Sequence, residues 1–130
     1  MRLILSVIVI FLCSSCSESK TEIKRQLMSP DQSDVIRGLE QIGSEDRELM
    51  PYILYHLNDS RISHHYRYYG MSVYRVKVGR LRTLTGQEPP VPLTNVPDST
   101  IIGFYLDLNR KAGGQSVLDS LEALSLQVRT

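Results

Sequence analysis

Apolar residues recur three and four positions apart along most of this 130-residue chain, and Gly, Pro and short polar residues cut the pattern into short runs. That spacing lays side chains along one stripe of a helix, so an all-α fold is predicted. Ile23 and Leu27 share one face. Ser29 and Pro30 read as the N-cap and first turn of a helix carrying Val35, Leu39 and Ile42, with Gly43 as its stop. Ser44 is placed to cap the next helix, with Glu45, Asp46 and Glu48 near its positive end and Leu49, Ile53, Leu54 and Leu57 on its apolar face. Pro51 falls early enough to be tolerated and is expected to delay the start.

Asn58-Asp59-Ser60-Arg61 is turn chemistry, and residues 62–71 have no period. Ser72 and Gly86 bracket a run with Val73, Val76, Leu81 and Leu84 that reads as a helix. Alternation of Tyr74, Val76 and Val78 with Arg75 and Lys77 leaves a strand open as the alternative for residues 66–79. Pro89, Pro90, Pro92 and Pro97 make a stiff connection. Residues 100–111 and a last helix capped by Ser116, with Val117, Leu118, Leu121 and Leu124, complete the chain.

With 42% hydrophobic and 22% charged residues the composition is that of one globular domain, assigned to residues 23–130. The formal net charge of +1 argues against nucleic acid as a partner of the whole molecule. Residues 1–16 read MRLILSVIVIFLCSSC, a basic start and then a ten-residue apolar run broken only by Ser6. At about 1.5 Å per helical residue this covers roughly half of a hydrocarbon core, which suits a signal peptide better than a permanent span.

The run into Cys16, with Ser14 and Ser15 before it, resembles the lipobox of bacterial lipoproteins. Cys13 stands where that family usually carries leucine. The resemblance implies a signal peptide over residues 1–15, lipidation at Cys16, a tether over 16–22 and a lipid-anchored protein of the cell envelope. Ser17 resembles the position that directs lipoproteins to the outer membrane of Gram-negative cells. A thioredoxin-like reading of Cys13-Ser14-Ser15-Cys16 competes, but no βαβ pattern surrounds the pair.

Two stretches then resemble HEAT-like helical repeats. In LMPYILYHLNDSR the matching residues are Leu49, Ile53, Leu54, Leu57, Asp59 and Arg61. In SVYRVKVGRLRTLTGQ they are Leu81, Leu84, Thr85, Gly86 and Gln87. Lys77 and Gly79 stand where that family usually has small alanines. The resemblance spans residues 23–87 and implies about five helices in short hairpins, used as a scaffold or docking surface with no catalytic residues.

No metal or nucleophile motif is present, and neither an enzyme nor a cofactor is expected. His56, His64, His65 and Tyr66 are the only cluster that supports a catalytic alternative. Charge is segregated instead. Residues 55–82 carry Arg61, Arg67, Arg75, Lys77, Arg80 and Arg82 against Asp59, a local charge of +5, interleaved with Tyr55, Tyr66, Tyr68, Tyr69 and Tyr74. Tyr and Arg give large contact area at low entropy cost and are enriched at binding hot spots. Arg61, Tyr66, Arg67, Tyr68, Tyr69, Tyr74 and Arg75 are therefore the expected contact residues for an envelope protein partner. An anionic ligand, a lipid phosphate or acidic glycan, is the alternative. The plainer reading folds the rings onto the core and leaves the Arg heads in water.

Overall fold

Short polar side chains set where three of the helices begin, at Asp31, Ser72 and Asp98. The computed structural model describes residues 19–128, and within them the chain is all-helical, with six helices and no strand. Helix α1 runs through residues 19–27 and α2 covers Gln32–Glu40. A 3-10 turn at Arg47–Leu49 leads into the short α3, Met50–Leu54. The remaining helices are α4 (Val73–Thr85), α5 (Ser99–Lys111) and α6 (Gln115–Val128). Cys16, Cys13 and the apolar run before them lie outside the described residues. Of the expected tether, residues 19–22 are helical, with an Arg25–Glu22 pair at 2.7 Å and Lys20 ion-paired to Glu48.

Several helix starts differ from the sequence expectation. Asp31, not Ser29, caps α2, accepting a hydrogen bond from the Ser33 N–H at 2.8 Å. A carboxylate satisfies the same orphan donor as a hydroxyl and adds a favourable interaction with the helix dipole. Ser29 is used one step earlier, where its hydroxyl accepts from the Asp31 N–H and donates to Asp34 at 2.8 Å. Ser44 caps nothing, because the Asp46 carboxylate takes the Gly43 N–H at 2.8 Å and turns the chain into the 3-10 segment. Pro51 sits in the first turn of α3, where its missing N–H costs no hydrogen bond. Ser116 lies inside α6, which starts one residue earlier at Gln115, with Gln115 Nε2 donating to Asp119 at 2.8 Å.

The strand alternative for the chain after residue 72 is not realised. Ser72 Oγ accepts from the Arg75 N–H at 3.1 Å, and Gly86 closes α4 in the left-handed region at φ 68°. The alternating pattern arose because α4 is covered on several sides: Val73, Tyr74, Val76, Lys77, Val78, Leu81 and Leu84 are all buried. A helix buried on more than one side loses its single apolar stripe and reads ambiguously.

Helix α4 packs on α2 and α3, and α3 also meets α5 and α6. Leu39, Leu49, Ile53, Val73, Leu81, Ile101 and Tyr105 form the centre of this core. Helices α1 and α2 approach closely at Gly38, where an added Cβ would come within 3.1 Å of Gln26 Cβ and 3.3 Å of Leu27 Cδ2. Gln41 Nε2 closes the pair by donating to Gln26 Oε1 at 2.8 Å.

Candidate functional site

The long connection between α3 and α4 is a folded loop with its ends held together. Asp59 Oδ1 accepts from the Arg61 N–H at 3.1 Å, the local hydrogen bond that Asp makes in a turn. The Val73 N–H donates to the Arg61 carbonyl at 2.9 Å, Ser63 N–H to Met71 carbonyl at 2.8 Å, and Gly70 N–H to Ser63 carbonyl at 3.1 Å. These bonds close residues 61–73 into a compact loop, and an isolated antiparallel bridge pairs Ile62 with Ser72. Asn95, from the proline-rich connection, clamps the same loop from outside. Its Oδ1 accepts from the Ser72 N–H at 3.0 Å and its Nδ2 donates to the Gly70 carbonyl at 2.9 Å.

The loop presents Tyr66 and Tyr69 at its tip, 77% and 74% exposed. Arg67 is exposed beside them, with its guanidinium 5.5 Å from the Tyr66 ring centre. The His65 ring stacks on Tyr66 at 4.7 Å. His65 Nε2 and Arg67 Nη1 both face Glu40 Oε1, at 3.6 and 3.9 Å, so the tip leans over the last turn of α2. Arg75 is half-exposed on the first turn of α4.

The other expected contact residues have different positions. Tyr74 is completely buried and packs in the core, so it belongs to the fold and not to a contact surface. Burial raises its hydroxyl above the ordinary tyrosine range. Tyr68 is half-buried, and its hydroxyl accepts from Arg80 Nη2 at 2.8 Å. Arg61 is exposed but committed: it grips Asp59 through Nε at 2.9 Å and Nη2 at 2.7 Å, and donates through Nη1 to the Pro30 carbonyl at 2.6 Å. Burial would raise the Asp59 carboxyl, but the hydrogen bonds from the Arg61 side chain and backbone, with the nearby charges of Arg61 and Lys77, bring it below its usual value.

These contacts divide the basic segment. Arg61 is paired to Asp59, Arg80 serves Tyr68, Arg82 lies 3.5 Å from Glu88 and Lys77 is buried. Nearest the tip are Arg67, exposed and facing Glu40 at 3.9 Å, and Arg75. In the sequence Lys77 is marked only by its place inside Val76-Lys77-Val78 and by standing where the HEAT-like repeats usually carry alanine, and neither signal announces a buried ammonium. It is 2% exposed, and Nζ donates to the Tyr55 carbonyl at 2.7 Å and the His56 carbonyl at 3.3 Å. Burial pushes its ammonium down to about 8, against an opposing pull from Asp59. His56 adopts a left-handed backbone at φ 51°, which turns the chain out of α3 beside Lys77.

Lys77 and the Arg61–Asp59 pair border a cleft of about 650 Å³ that is also walled by Leu27, Met28 and Leu124. Among the described residues no group of three or more His, Cys, Asp or Glu side chains could hold a metal ion, and no helix is long and apolar enough to cross a membrane. His64 and His65 lie on the loop with Tyr neighbours, 6.2 Å from Tyr69 and 4.7 Å from Tyr66 respectively, ring to ring. Compared with known families, curated proteins and solved structures, the chain gives no match.

Proposed function

We propose that this protein is a small interaction module of the bacterial cell envelope, tethered by lipid at Cys16, which docks another envelope protein through the loop over residues 61–73. The observation that carries the reading is the pinned presentation of Tyr66 and Tyr69, large rings left in solvent by a loop whose own backbone is fully folded. A loop whose backbone is already pinned loses little further backbone entropy on binding, and Arg67 adds a guanidinium beside the Tyr66 ring. The helical domain behind the loop then serves as a scaffold, in keeping with the HEAT-like resemblance of residues 23–87. The anionic-ligand reading has less behind it, because several of the segment's cations are already engaged within the fold.

Photo-crosslinking in intact cells tests the proposal, with a crosslinkable residue at Tyr69 and a control at Gln115. A discrete protein band from position 69 alone is the expected result. Smeared lipid- or glycan-sized adducts would replace the protein partner with an anionic one, and no adduct at all would remove the docking role from the loop.

A further inference from the structure

The cleft beside Lys77 has a composition that the docking role does not use. Its volume, about 650 Å³, lies within the range of small-molecule sites. One wall is apolar, formed by Leu27 and Met28 at the end of α1 and by Leu124 on α6. Leu124 is 52% exposed, a large apolar side chain left facing open space at the cleft edge. The lining is otherwise largely polar and carries three charges, Asp59, Arg61 and Lys77. Asp59 is held by Arg61 through paired hydrogen bonds and pulls on Lys77 from beyond ion-pair distance, so the three groups together carry one net positive charge.

That charge is poorly served for its depth. Among the described residues no carboxylate closes an ion pair with Lys77, and its Nζ reaches two backbone carbonyls. An ammonium has three N–H donors, which leaves one for an incoming acceptor. A buried cation whose nearest carboxylate is already gripped by an arginine is costly, and an anion brought to it relieves that cost. A hydrophilic anion would gain nothing from the apolar wall, and a neutral apolar molecule would leave the charge as it is.

We propose that this cleft binds an amphipathic anion, a short alkyl chain with one acidic head group. The chain lies along Leu27, Met28 and Leu124, and the acid accepts a hydrogen bond from Lys77 Nζ. The inference is independent of the loop's docking role, since Tyr66, Tyr69 and Arg67 take no part in it.

Calorimetric titration of the full chain with decanoate, with decanol as the uncharged comparison, tests it at neutral pH. Decanoate is expected to bind and decanol to bind at least about tenfold more weakly, the worth of one hydrogen bond between charged groups. Lys77→Met keeps an unbranched side chain, one atom shorter and without the charge, and is expected to bring decanoate down to the decanol level. Leu124→Glu, on the exposed wall, is expected to weaken decanoate without contact to Lys77, and it decides the matter if Lys77→Met does not fold. Absence of decanoate binding, equal binding of decanol, or decanoate binding indifferent to Leu124→Glu would overturn the proposal.

Discussion

Lys77 carries a charge into a layer otherwise built from Val73, Val76, Val78 and Leu81. With its ammonium pushed from 10.5 down to about 8, the folded chain releases this proton before the unfolded chain does. Between those two pH values the unfolded state binds more protons, so stability rises with pH across the window. At about 1.4 kcal/mol per pH unit the full gain is about 3 kcal/mol. Urea unfolding at pH 8 and pH 10 is expected to show the wild type gaining stability relative to Lys77→Met, and a constant difference would contradict the assignment. Tyr105 works in the opposite sense at higher pH. Burial pushes its hydroxyl up to about 12, so the stability it lends is lost above the ordinary tyrosine value near 10. The pH 8–10 window is therefore where Lys77 is read most cleanly. Gly114 is the other residue with a narrow tolerance, since an added Cβ would come 2.1 Å from Oδ1 of the fully buried Asn109. Gly114→Ala is expected to cost about 1–3 kcal/mol in urea unfolding, the usual penalty of overpacking. A neutral result would mean that Asn109 moves aside.

At the level of elements, the loop over residues 61–73 depends on a residue far from it in sequence. Asn95 supplies both an acceptor and a donor to the loop backbone, at 3.0 and 2.9 Å. Asn95→Ala is expected to cost about 1–2 kcal/mol, two ordinary hydrogen bonds, and to speed amide hydrogen exchange at Ser72 while leaving Leu39 and Leu81 protected. Uniform acceleration across the helices would instead make Asn95 part of the global fold. The helices themselves were readable in advance, because apolar spacing and the Ser72 and Gly86 signals are local. Cap positions at Ser29, Ser44 and Ser116 were not, since neighbouring Asp side chains or an earlier turn took the role and periodicity does not rank competing caps. Tyr74 shows the other limit. Spacing along a helix says which residues share a face, but a second buried face becomes visible only when α2, α3 and the later helices close around α4. The loop was identified only as a Tyr/Arg-rich segment without period, and its clamp on Asn95 had no local signal at all.

The whole molecule separates two kinds of aromatic residue that composition alone merges. Tyr74 and Tyr105 are spent on the core, whereas Tyr66 and Tyr69 are left in water on a loop that is closed without them. The charge of +5 over residues 55–82 divides in a related way, with Lys77 buried, Arg61 and Arg80 committed to partners within the fold, and Arg67 and Arg75 nearest the loop tip. The proposed docking role requires this division: the tip residues must matter for a partner and not for folding. The most direct measurement is the urea unfolding free energy of a Tyr66→Ala, Tyr69→Ala double variant, read beside the crosslinking yield from a probe at position 67. Stability within about 0.5 kcal/mol of wild type, typical of exposed positions, together with loss of the partner band is the expected result. A fall of more than about 2 kcal/mol, or a band that persists at full strength, would contradict the account.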